Sequence, residues 1–150
     1  MYKGNDGELY GDIEETILAC LLIEPKLVEK LRVNEEHFTK FEYVLTFFKR
    51  FYQKYHTLDI TTMLSLLKGS NELRMMEIIT YLVEVFALPT QFETYQDRLI
   101  ERYGISKRDK WLSKKIYEKA TDLYVGTISL DEFYKELKKI TNYAKEREWK

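Results

Sequence analysis

The fold class is first readable in Asp12-Ile13-Glu14-Glu15-Thr16-Ile17-Leu18-Ala19-Cys20-Leu21-Leu22-Ile23-Glu24-Pro25. Asp12 has the short acceptor side chain that favours a helix N-cap, and Glu15 follows three residues later as in a capping box. Ile13, Ile17, Leu18, Leu21 and Leu22 recur at helical spacing and form one broad apolar face. Pro25 is tolerated in a first turn and opens a short second helix through Leu27, Val28 and Leu31. The pairs Glu14-Glu15 and Glu35-Glu36 fall in first helical turns, where carboxylates meet the helix dipole favourably, so they read as helix starts and not as an acid and base. Cys20, flanked by Leu18, Ala19, Leu21 and Leu22, reads as a core thiol with no activating base nearby in sequence.

Downstream, helix signals repeat and alternating β-branched runs are missing. Asn34 caps a turn carrying Phe38. A long aromatic helix follows through Phe41, Val44, Leu45, Phe47, Phe48, Phe51, Tyr52 and Tyr55, which reads as the centre of the core. Asp59 caps Ile60-Thr61-Thr62-Met63-Leu64-Ser65-Leu66-Leu67, and Gly69 ends that helix. Asn71 is expected to cap a helix through Ile78, Ile79, Leu82, Val83 and Phe86 that Pro89 stops. Thr90-Gln91-Phe92-Glu93 has the form of a capping box starting a helix through Tyr95, Leu99 and Tyr103, and Gly104 marks a boundary or bend.

After Gly104 a helix is expected from about Ser106 to Tyr124, then a turn at Val125-Gly126-Thr127 and a second helix capped by Ser129, with Glu132 as its box partner. The chain therefore reads as all-α, a compact multi-helix head (1–103) followed by a C-terminal antiparallel helical hairpin (104–150). Charge shifts with the division, from −5 over 1–103 to +4 over 104–150. Leu112, Ile116, Tyr117, Ala120, Leu123 and Tyr124 cover an arc of roughly 140° on the first hairpin helix. Leu130, Phe133, Tyr134, Leu137, Ile140 and Ala144 cover roughly 120° on the second, while Trp111 falls outside its helix's stripe. Two helices cannot bury two such broad faces solely against each other. Self-association through Leu112, Ile116, Tyr117, Ala120, Leu123, Tyr124, Phe133, Tyr134, Leu137 and Ile140 is the expectation.

The 150 residues are 45% hydrophobic and carry 24 basic against 25 acidic side chains, enough apolar content for one substantial core and no wholesale basic coat. One cysteine excludes an internal disulfide and fits a reducing cytoplasm. Met1-Tyr2-Lys3-Gly4-Asn5-Asp6-Gly7 lacks a signal-peptide apolar region, and no apolar run approaches bilayer length, so no membrane association is expected. No phosphate-binding loop of the form GxxxxGK[ST] exists; Lys68-Gly69-Ser70 has the wrong order and follows a helix. His37 and His56 are far apart, with no HExxH or CxxC, so neither metal nor cofactor is expected and no catalytic residue is assigned. His37 reads as a helix start and His56 as loop. Lys107, Arg108, Lys114 and Lys115 could contact DNA phosphates or a partner, but Asp109, Glu118 and Asp122 interrupt them, which favours a solvated or partner-facing surface.

Taken in order, these segments resemble the N-terminal domain of DnaB-type replicative helicases. Ile13 to Pro25 is similar to that family's first helix. Phe38 and Tyr43-Val44-Leu45-Thr46-Phe47 resemble its aromatic helix, with Tyr43 where histidine is usual. Asp59-Ile60-Thr61-Thr62, Tyr81-Leu82, Leu88-Pro89-Thr90, Tyr95-Gln96-Asp97-Arg98-Leu99-Ile100 and the Tyr124-Val125-Gly126 turn with Asp131-Glu132 follow in the same order. The resemblance implies a non-catalytic scaffold: a head plus a hairpin that pairs with a neighbour's hairpin, as a dimer or within a hexameric collar. It also implies contact with primase or a helicase loader, beside a separate ATP-dependent motor that this chain lacks. Either the chain is a fragment cut after the hairpin, or it is a stand-alone protein, of the phage or mobile-element type that the divergent motifs suggest, that binds a helicase or primase. The helicase-binding domain of bacterial primase resembles the same plan; Asp59-Ile60-Thr61-Thr62, Leu88-Pro89-Thr90 and the glycine turn favour the helicase side.

Overall fold

The computed structural model describes residues 12–150; Met1 to Gly7, expected to carry no signal segment, lie outside the described residues. Among these residues the chain is all-α, with no strand. The six helices are α1 (Ile13–Ile23), α2 (Glu42–Tyr55), α3 (Ile60–Gly69), α4 (Leu73–Leu82), α5 (Phe92–Tyr124) and α6 (Leu130–Glu146). Short 3-10 turns at Pro25–Lys30, Glu35–His37 and Pro89–Gln91 connect them. They form two compact units, one ending at Leu99 and the other running Ile100–Lys150.

In the head, Asp12 caps α1 as expected, its carboxylate accepting from the Glu14 amide at 2.9 Å. The expected one-sided helix is instead buried on every side from Glu14 to Leu21. It packs against α4 and against the turns at Pro25–Lys30 and Pro89–Gln91, while α3 packs on α4. Glu14 and Glu15 are therefore core residues, not exposed first-turn charges. The Glu14 carboxylate accepts from the amides of Thr39, Lys40 and Phe41 at 3.0–3.1 Å and from the Thr39 hydroxyl at 2.9 Å. It thereby satisfies main-chain donors just ahead of α2, which helical bonding leaves without partners. Glu15 accepts from the Tyr81 hydroxyl of α4 at 3.0 Å.

α2 places Val44, Leu45, Phe48 and Phe51 in the core and stacks Phe51 on Tyr55 at 4.5 Å between centroids. His56 lies in the loop as expected, just past the end of α2, where its left-handed φ of 56° and its amide bond to the Tyr52 carbonyl close the helix. Asn34 and His37 form the expected helix start as a reciprocal capping pair, and Asp59 caps α3 through Thr62. Two expectations change. Asn71 takes a left-handed φ of 60° and precedes Glu72, the residue flanking α4. α4 ends at Leu82, well before Pro89, and leaves Val83 and Phe86 exposed. Pro89 opens the turn before α5, which then runs unbroken through Gly104. No helix among the described residues is long and apolar enough to cross a membrane.

A second buried polar group fixes the start of α5. Gln96, fully buried beside the buried Phe92 and Leu99, accepts from the Arg32 amide at 2.6 Å and from Val33 at 3.4 Å, and donates to the Lys30 carbonyl. Arg32 also reaches Glu93 and Asp97 at 2.9 and 2.7 Å, but these exposed pairs add little beside the buried amide.

Two outcomes follow from the buried carboxylates. Glu14→Ala strands three amides and a hydroxyl and should cost about 3 kcal/mol in urea unfolding, with Glu14→Gln recovering part of that loss. Burial pushes the Glu15 carboxyl above its ordinary 4.5, opposed by the Tyr81 bond. Its contribution to stability is thus whole below 4.5 and is lost as pH rises through the raised value. Glu15→Gln keeps an acceptor for Tyr81 and should raise the melting temperature near pH 8 while changing little near pH 4.

Candidate self-association interface

The C-terminal unit is an antiparallel hairpin built from the rest of α5 and from α6. Its turn is set by Gly126 at φ +83°, a left-handed conformation that glycine adopts without steric cost. The Gly126 amide donates to Leu123 at 3.2 Å and the Thr127 amide to Asp122 at 2.9 Å, the paired bonds of a Schellman helix end. Ser129 then caps α6 by accepting from the Glu132 amide at 3.2 Å.

Register is fixed at the stem. Trp111 of α5 packs on Tyr143 of α6 at 4.9 Å between centroids, and the main chain of Trp149 lies against Gly104. Stepping equally toward the turn from Trp111 and Tyr143 brings Ala120 opposite Tyr134 and Tyr124 opposite Leu130. Gly104, expected as a boundary or bend, is instead a point of close approach inside a continuous helix.

Leu112, Ile116, Leu123, Phe133 and Leu137 are half-buried, and Ile140 is buried together with Ala144. These residues face inward between the helices. Tyr117, Tyr124 and Tyr134 are 74%, 92% and 61% exposed; Ala120, Val125 and Leu130 are exposed with them. At about 100° per residue, Tyr117, Ala120 and Tyr124 lie roughly a quarter turn from the inward face of α5, and Leu130 and Tyr134 lie a quarter turn in the same sense on α6. In an antiparallel pair the same rotational sense means the same side. The outcome is one flat apolar and aromatic side toward the hairpin tip, with Trp111 and Tyr143 on the opposite side. The structure therefore divides the ten sequence candidates: six form the inward seam of the hairpin, while Tyr117, Ala120, Tyr124 and Tyr134 are free to meet another surface.

The basic candidates do not gather into one bare patch. Arg108 pairs with Asp109 at 2.9 Å and Lys115 with Glu118 at 3.6 Å, while Lys107 donates to the Lys150 carbonyl at 2.9 Å and Lys114 is exposed. The group at 147–150 went unread in the sequence. Its signal was Trp111 standing off the apolar stripe, which implied a partner on that side. No group of three or more His, Cys, Asp or Glu among the described residues has the geometry to hold a metal ion. Cys20 is buried, and burial pushes its thiol up to about 12, far from a reactive thiolate.

A family model for the DnaB-like helicase N terminal domain matches residues 10–101. Comparison with curated proteins and with solved structures finds no match. The family match covers the head and the first turns of α5, so the reading of the hairpin rests on its own geometry.

Gly126→Ala forces a side chain into the left-handed region and should lower hairpin stability by about 1 kcal/mol, read as a shift in the urea midpoint without loss of helical signal in native buffer.

Proposed function

The chain belongs to the DnaB-like helicase N-terminal domain family, the non-catalytic part of a helicase, and from that premise we propose that it is a scaffold and self-association module acting in DNA replication. The observation that carries the proposal is the exposed side formed by Tyr117, Ala120, Tyr124, Leu130 and Tyr134. Tyrosine contributes large, rigid, amphipathic contact area, and Ala120 at the centre lets a second helix approach closely. A two-fold arrangement of two hairpins would cover this side with its own copy, so that each tyrosine row meets the other. In a full helicase such pairs would build the hexameric collar, with the ATP-driven motor on a separate domain, in the cytoplasm. The head would then remain available to primase or a helicase loader.

A second reading is a stand-alone protein that binds a helicase or a primase. It shares the fold and differs in the occupant of the tyrosine side. DNA contact through Lys107, Arg108, Lys114 and Lys115 has weaker support, because acidic neighbours offset two of the four charges.

Light scattering on the full chain and on Tyr124→Asp and Tyr134→Asp separates these readings. Both side chains are exposed, so each variant should keep the helical signal of the parent and, at dilutions where the parent is monomeric, its melting temperature. The parent should form a dimer at micromolar concentration, and each variant should weaken it at least tenfold, the scale set by loss of a central aromatic anchor. A parent that stays monomeric at millimolar concentration removes the self-association reading and leaves the stand-alone one.

A further inference from the structure

We propose that residues 147–150 form a latch on the hairpin stem, seated on Gly104 and released locally without unfolding of α5 or α6. Arg147 leaves α6 in an extended conformation, φ −75° and ψ 140°, and turns the chain back toward α5. The main chain of Trp149 then crosses so close to Gly104 that a Cβ there would run into the Trp149 carbonyl oxygen and stand 2.9 Å from its carbonyl carbon. Neither atom is the end of a flexible side chain, so any larger residue at 104 must displace the main chain. Glycine in a helix interior costs about 1 kcal/mol relative to alanine. At Gly104 that cost is offset by what the close approach permits.

Four contacts hold the latch. The Trp149 indole N–H donates at 3.0 Å to the Ala144 carbonyl, one of the last-turn acceptors that a helix end leaves without an internal donor. The Trp149 ring packs on Trp111 at 5.6 Å, which in turn packs on Tyr143. The Arg147 guanidinium lies 4.4 Å from the Trp149 ring centroid and 5.7 Å from that of Tyr143. Lys107 adds its bond to the Lys150 carbonyl. Arg147, Glu148 and Lys150 are exposed and Trp149 is half-buried, so the latch buries little surface and belongs to the low end of the local opening scale. Closed, it covers one side of Trp111 and clamps the stem register. Open, it frees Trp111 and Tyr143 on the side of the hairpin opposite the tyrosine side, so latch and self-association are separable.

The test uses the full chain. Trp111 and Trp149 are its only tryptophans, so intrinsic emission reports on the latch alone. Gly104→Ala should unseat the latch: emission shifts to the red and acrylamide quenching rises several-fold, while far-ultraviolet circular dichroism keeps its helical signal. In a Trp149→Ala background the ring and indole bond are already gone, and Gly104→Ala should then raise the melting temperature as an ordinary helix-interior substitution does. The sign of the Gly104→Ala effect should therefore differ between the two backgrounds. Unchanged emission and quenching in Gly104→Ala, or an equal rise in melting temperature in both backgrounds, overturns the latch. Should Gly104→Ala fail to fold, Trp149→Ala alone decides: the latch requires several-fold greater quenching of Trp111, and unchanged quenching contradicts it.

Discussion

A helix buried on every side cannot keep carboxylates without giving each of them donors, and that constraint organises the head. α1 carries Glu14 and Glu15 into the core, where an unpaired charge would be far more costly than any single apolar contact is favourable. Glu14 therefore gathers three consecutive amides and a hydroxyl ahead of α2, and Glu15 takes the Tyr81 hydroxyl from α4. Apolar packing tolerates small slips between helices, whereas these bonds have a length and a direction. Gln96 does the same for the start of α5 by engaging both amides and a carbonyl of the 30–33 segment. Glu14, Glu15 and Gln96 thus tie α2, α4 and α5 to a largely aliphatic and aromatic core.

The hairpin obeys the opposite economy. Two helices enclose only one narrow seam, and this pair fills it with Leu112, Ile116, Leu123, Phe133, Leu137 and Ile140. What is left over is sorted by side. The Trp111–Tyr143–Trp149 group closes the side at the stem, and the other side, toward the tip, keeps its tyrosines in solvent. That exposed tyrosine side is the surface on which the proposed association with a second copy rests. Tyr134 touches Phe133 at 6.2 Å between ring centroids, yet it stays exposed, as Tyr117 and Tyr124 do, because all three stand on ordered helix off the inward seam.

Much of this was readable in the residues. The helical class, the caps at Asp12, Asn34, Asp59 and Ser129, the glycine turn and the two-helix hairpin all depend on neighbours within a few positions, and such signals survive in the sequence. What was not readable depended on partners far along the chain. Periodicity marked one face of α1 but could not show that the polar face is buried too, because Glu14 meets residues 39–41. The end of α4 was misplaced because Pro89 attracted the boundary, whereas the helix stops when its apolar contacts run out at Leu82. Gly104 looked like punctuation because its reason lies at Trp149. Gln96 stood within the Phe92–Leu99 apolar stripe, and a polar residue there was the visible sign of a buried partner. The ten interface candidates shared one periodicity, and only the inward direction of each helix separates seam from free surface.

Concentration-dependent tyrosine labelling read by mass spectrometry, on the unaltered chain, is the most direct test of the proposed pairing of the tyrosine side with a second copy. Tyr117, Tyr124 and Tyr134 should be modified rapidly at high dilution and become protected as concentration rises through the association range. Tyr43 on the head and Tyr143 on the opposite side of the hairpin should label equally throughout. Protection of Tyr143 or Tyr43 in place of the three tip tyrosines, or equal labelling of all five at every concentration, would contradict it.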